Sequence, residues 1–247
     1  MISYLKDRHV AVVTIAKSCI GLESLCSLRE ELLELRIRIM SDKDIRVVLL
    51  NGLGGNEFSL GEDFASVEAC NKIWGLDVEI ANIDRPVIAG IDGDAKGLGL
   101  EMALACDIRI ASNTACFGFP WIRKGLIPWN GGTQRLPRLV GKAKAIEMLL
   151  SGSMIDAHEA LRIGLVNGIV SCERLLESVT GTAKEMASKA PVALRYAKEA
   201  ISKGMDLTLE QGLRLEADLY LLLHTTRDRT EGIRAFQKSR KPEFEGR

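Results

Sequence analysis

The chain has 247 residues, is 47% hydrophobic, and carries 33 basic and 33 acidic residues, for a formal net charge of zero. That length holds one large domain, or a domain with an appendage, and a sizeable core, and the even charge balance does not favour a nucleic-acid or anionic-membrane partner. No apolar run approaches the roughly 20 residues of a membrane span, and the start MISYLKDRHVAVV lacks the layout of a signal peptide, so a cytoplasmic protein is expected.

Ile2–Leu5 and Val10–Ile15 flank Asp7-Arg8 and predict a hairpin. Leu25, Leu28, Leu32, Leu33, Leu35 and Ile39 keep helical spacing. Arg46–Leu50 reads as a short apolar strand ended by Asn51-Gly52. Asp63 is placed to cap a helix running towards Ile83. Strands are expected at Val87–Ile91, Ile108–Ala111 and Asn167–Val170, and helices at Gly132–Val140, Lys142–Ser151 and Ala157–Ile163. After Cys172 the pattern is helical almost to the end. Strands alternating with helices, then helices alone, give an α/β core and a helical tail. The division expected is residues 1–190 for the core and 191–247 for a helical region that drives oligomerisation.

The six cysteines (Cys19, Cys26, Cys70, Cys106, Cys116 and Cys172) make no C-x-x-C pair and do not cluster with His9, His158 or His224. Neither a metal site nor a disulfide scaffold is expected.

The richest segment is Arg85 to Arg135. An apolar strand runs into a glycine turn (Gly93, Gly97, Gly99), and a helix then opens with Glu101 in its first turn. Backbone N–H groups and one carboxylate converge there, which suits negative charge developing on an oxygen.

This segment resembles the crotonase family, the enoyl-CoA hydratases and isomerases. Phe58-Ser59-Leu60-Gly61-Glu62-Asp63 is similar to the family's F-x-A-G-x-D loop. Gly131-Gly132-Thr133-Gln134-Arg135-Leu136 and the tail Glu231-Gly232-Ile233-Arg234-Ala235-Phe236 keep the family's order. The resemblance implies a spiral of ββα units with a C-terminal helical region, assembled as a homotrimer or homohexamer. It implies an acyl-CoA substrate whose thioester carbonyl is held by the backbone N–H groups of Glu62 and Leu98. Gly97 and Gly99 permit the tight turn and close substrate approach. Glu101 matches one of the two catalytic glutamates of the hydratases. Leu60, with Gly61 and Asp63 in the same loop, is expected on the substrate, with Leu60 lending backbone bonds to adenine. Phe236 matches a C-terminal aromatic that reaches a CoA site. No cofactor is implied, because coenzyme A enters as the substrate thioester.

The chain also departs from the family. The second hydratase glutamate follows a proline in a segment like F-G-x-P-E, and here Phe117-Gly118-Phe119-Pro120 leads to Trp121. An indole exchanges no proton at neutral pH and offers one N–H donor and a large apolar face. The branch that dehalogenates aromatic acyl-CoA also has tryptophan there, but with a nucleophilic aspartate eight residues later, where this chain has Trp129. Trp121 and Trp129 together suggest a flat, cyclic or aromatic acyl group; the same Trp121 also reads as filler of core volume. Asp94, Lys96 and Arg123 are candidate substitute polar groups, with solvated loop charge as the alternative. The family's N-A-[LM] element is missing, and Lys17 in its place is left to meet a CoA phosphate by charge alone.

The expected function is an acyl-CoA enzyme working through a thioester enolate, foremost an enoyl-CoA hydratase or dehydratase, including of cyclic or dienoyl thioesters. Isomerisation, C–C hydrolysis and non-catalytic acyl-CoA binding stay open. RNA binding is disfavoured, because Arg29, Arg36 and Arg38 are interleaved with Glu30, Glu31 and Glu34.

Overall fold

A computed structural model of the chain describes residues 2–15, 22–52, 57–59 and 74–247. Two sheets organise it. The larger has six strands in the order β1-β2-β3-β5-β7-β10: β1 (Ile2–Asp7), β2 (Val10–Ile15), β3 (Val47–Asn51), β5 (Val87–Ile91), β7 (Ile108–Ser112) and β10 (Gly168–Val170). β1 and β2 form the expected hairpin, with Arg8 at φ 53° in the turn. The other neighbours are parallel. The smaller sheet is β4-β6-β8-β9: β4 (Glu57–Ser59), β6 (Asp94–Lys96), β8 (Cys116–Gly118) and β9 (Met154–Asp156). None of these three-residue strands was expected from sequence, since three residues carry no readable alternation.

The large sheet is covered on both faces, and its apolar strands alternate between two clusters. Val47 and Leu49 of β3 and Ile88 of β5 pack with Leu175, Val179 and Ala183 of a long helix over Cys172–Ala187. Gly90 lies on that side too, and a Cβ there would sit 3.3 Å from Val179. Val48, Leu50, Val87, Ala89 and Ile91 face the main core, with Phe58, Ala95 and Phe117 of the small sheet.

The helices are α1 (Leu22–Ser41), α2 (Leu76–Ala81), α3 (Leu98–Ala105), α4 (Gly132–Val140), α5 (Lys142–Ser151), α6 (Ala157–Arg162), α7 (Cys172–Ala187), α8 (Pro191–Gly204), α9 (Leu209–Leu223) and α10 (Arg227–Gln237), with a 3₁₀ turn at Pro120–Lys124. The helix expected between Asp63 and Ile83 is represented by α2; Asp63 and its capping role lie outside the described residues.

Helix α3 is the centrepiece. Its sequence LGLEMALA is buried at every position, and Glu101 is its one charged residue. Fully burying side chains such as Leu98, Leu100 and Met102 contributes about 1.5–3 kcal/mol each. The buried Arg109 holds the far end, donating from Nη1 to the carbonyls of Cys106 (2.6 Å) and Ala103 (3.3 Å) and from Nε to Leu165 (2.8 Å). A cation at a helix C-terminus complements the dipole, and the carbonyls supply the bonds its burial demands.

After Pro191 the chain is helical, as expected. It is tied back to the sheets: Lys198 Nζ reaches Asp107 (2.7 Å) and the Arg85 carbonyl (2.9 Å). Along α9, Leu213 and Leu222 are exposed, but Leu219 is buried within the chain.

Candidate active site

The turn between β6 and α3 positions the site. Gly97 has φ +52°, a region L side chains rarely adopt, and its N–H donates to the Gly118 carbonyl of β8 at 3.1 Å. The small sheet therefore pins the turn. Beyond β8 the chain runs through Phe119 and Pro120 to Trp121, whose indole lies on the Gly97 backbone: a Cβ at Gly97 would sit 2.6 Å from Cζ2. Leu98 is the first helical residue, so its N–H has no carbonyl to bond within the helix.

One turn on, Glu101 is 1% exposed. Its Oε1 accepts two backbone N–H bonds, from Asn130 at 2.7 Å and Gly132 at 2.9 Å. These donors open α4, 29 and 31 residues away in sequence. Gly131 bends the chain there with φ +90°. Gly132 is required by space, because a Cβ would meet Pro128 at 2.7 Å and Oε1 itself at 3.0 Å. Oε2 has no hydrogen-bond partner among the described residues.

Burial lifts the Glu101 carboxyl to about 7 from its ordinary 4.5. The N–H groups of Gly132 and Asn130 oppose that rise, and the nearby Asp77 adds to it. The donors that lower it come from the turn into α4 rather than from Glu101's own helix. Asp77 is itself buried and held by Arg135 through Nη2 (3.0 Å) and Nε (3.2 Å). Arg135 and Asp77 thus clamp the Gly131 turn from behind.

Trp121, 4% exposed, and Trp129 stack with ring centroids 6.3 Å apart and planes 26° apart. Both readings of Trp121 hold at once, since it fills core volume and forms a wall beside the Gly97 turn. A cleft of about 640 Å³ opens behind Trp129 and Gly131, bordered by Asp77, Val78 and Arg135; Glu101 does not line it.

The structure therefore brings together Gly97, Leu98, Gly99, Glu101, Trp121 and Trp129. Glu62, Leu60, Gly61, Asp63 and Lys17 lie outside the described residues. Phe236 is 86% exposed on α10 and takes no part in burying Glu101. Arg240 nearby is paired with Glu231 at 2.5 and 2.8 Å. Asp94 and Lys96 pair with each other at 2.6 Å, which leaves them poor substitutes for a second catalytic carboxylate. Sequence reasoning did not single out Asn130, Asp77 or the donor role of Gly132; the paired glycines at the start of α4 were the available signal. Among the described residues no group of three or more His, Cys, Asp or Glu is arranged to hold a metal ion, and no helix is long and apolar enough to cross a membrane.

A family model described as "Enoyl-CoA hydratase/isomerase" matches residues 10–247. The chain is 42% identical over 214 residues to a "Probable enoyl-CoA hydratase" of Rhizobium meliloti (strain 1021), covering 84% of this chain and 83% of that one. It is 38% identical over 252 residues to the "(E)-benzylidenesuccinyl-CoA hydratase" of Thauera aromatica, covering 97% of each. A solved enoyl-CoA hydratase from Bacillus anthracis superposes with a TM-score of 0.93 at 36% identity, over 100% of this chain and 99% of that one. Agreement of sequence and of fold over nearly the whole length supports a single assignment: the chain belongs to the enoyl-CoA hydratase/isomerase, or crotonase, family.

Proposed function

We propose that this enzyme adds water across the Cα–Cβ double bond of an enoyl-CoA thioester. The observation that carries the reading is Glu101: one carboxylate oxygen is fixed by two N–H donors, the other is uncommitted, and the pKa of about 7 sits near neutrality. Glu101 takes a proton from water as the water oxygen bonds to Cβ. The π electrons move through Cα to the thioester oxygen, held by the N–H of Leu98 with Glu62 as its expected companion. The carboxylic acid so formed returns its proton to Cα. One carboxylate, used twice, completes the addition, and the relatives named as hydratases support this direction. The chemistry calls for neither metal nor redox cofactor. A cytoplasmic trimer, or pair of trimers, completes the proposal.

The acyl group is proposed to be flat: aromatic, cyclic or conjugated. The stacked Trp121–Trp129 pair supports this, because an indole wall favours a planar apolar group. The relative named for a benzylidenesuccinyl thioester is consistent with it. The test is a spectrophotometric panel of crotonyl-, cinnamoyl- and cyclohexenecarbonyl-CoA. Faster hydration of the planar members is expected. Fast crotonyl-CoA hydration with no turnover of the others overturns the specificity, and no hydration of any member overturns the function.

A further inference from the structure

Two buried polar atoms have no hydrogen-bond partner among the described residues and belong to residues in direct contact: Glu101 Oε2 and Asn130 Nδ2. Asn130 is 1% exposed. Its Oδ1 accepts the Gly75 N–H at 2.9 Å, which fixes which end of the amide is oxygen and leaves the NH₂ unspent. Its own backbone N–H donates to Glu101 Oε1 at 2.7 Å. Leaving one buried polar group unpaired costs about 1–3 kcal/mol. Such groups call for a reason, and a reactive site is one.

A donor and an acceptor left over on two residues in contact suit a molecule that both accepts and donates. Water does both. Trp121 stands where the family resemblance expects the second carboxylate, and indole accepts no proton from water.

We propose that Asn130 Nδ2 and Glu101 Oε2 hold the attacking water between them, so that the Asn130 carboxamide supplies the water-holding share of the missing glutamate. This rests on the hydratase reading. Nδ2 donates to one lone pair of the water, and Oε2 accepts one of its hydrogens. The other lone pair is thereby free to bond Cβ. The carboxamide neither gains nor loses a proton; the proton passes from water to Glu101 and then to Cα.

The experiment separates the step that needs water from the step that does not. Hydration is measured on the panel thioester turned over fastest. Exchange of the α-hydrogen of its saturated analogue in D₂O, read by mass spectrometry, needs only Glu101 and the oxyanion donors. Asn130→Ala keeps the backbone N–H on Glu101. It is expected to lower kcat for hydration about tenfold or more while exchange stays within about threefold. Glu101→Gln should lose both. Should Asn130→Ala fail to fold, Asn130→Asp keeps the acceptor for Gly75 and removes the donor. It is read at about pH 9, above the carboxylate pKa its charge would raise, with the same split expected. Parallel loss of hydration and exchange would make Asn130 a scaffold only, and unchanged hydration would remove it altogether; either overturns the proposal. Absence of hydration by the unmodified enzyme is a separate outcome and overturns the hydratase reading itself.

Discussion

Glu101 is held where its charged form is uncomfortable. A folded-state pKa of about 7 against an ordinary 4.5 means that the folded protein binds a proton the unfolded chain has already lost. Stability therefore falls as pH rises from about 4.5 to about 7, by roughly 3 kcal/mol in all, and is flat above that. Activity runs the other way, because only the carboxylate accepts a proton from water. We expect kcat/KM to rise through about pH 7 and then level. Glu101→Gln should lose about 10²–10⁴-fold in turnover and, in urea melts, gain stability at pH 8 relative to the parent but not at pH 5. Equal melting differences at the two pH values would show that Glu101 is not a strained carboxylate. Glutamate in the first turn of a helix was legible as a candidate base. The direction of its pKa was not, because it depends on burial and on donors about thirty residues away.

The turn from β6 into α3 is an element with two constraints at one residue. Gly97 needs a positive φ, and it also needs the absence of a side chain, because the Trp121 indole occupies that space. Gly97→Ala should cost about 1–3 kcal/mol and displace the Leu98 N–H. In a Trp121→Ala background the penalty should shrink but persist, since the contact is relieved and the backbone strain is not. A penalty of equal size in both backgrounds, measured by urea unfolding, would remove the indole from the account. The glycine turn, α3 and the large-sheet strands were legible because apolar runs and glycine punctuation are local. The four strands of the small sheet were not. They are three residues long, and their pairing comes from chain segments far apart, such as Phe58 beside Ala95 and Ala95 beside Phe117.

Considered whole, the chain leaves large apolar side chains uncovered on its last helices, including Leu209, Leu213, Tyr220, Leu221 and Leu222. Clustered exposure of this kind marks an interaction surface. Sedimentation at micromolar concentration should give a species well above the 27.1 kDa of one chain, and Leu213→Glu with Leu222→Glu should shift it towards monomer. A monomer at all concentrations would refute the assembly. Leu219 of the same helix belongs to the protomer's interior and is not part of this exposed surface.

The strands of the large sheet, the longer helices, the glycine turn, Glu101 and the substitution at Trp121 are all written in the local sequence, because periodicity, backbone freedom and residue chemistry act over a few positions. What surrounds Glu101 is not. The turn that holds its Oε1, the clamp of Asp77 and Arg135 behind that turn, and the neighbouring amide of Asn130 come from segments between 24 and 34 positions away. No local pattern records which donors will be spent and which left over. That account closes only when the chain has packed and each buried polar group has, or lacks, a partner.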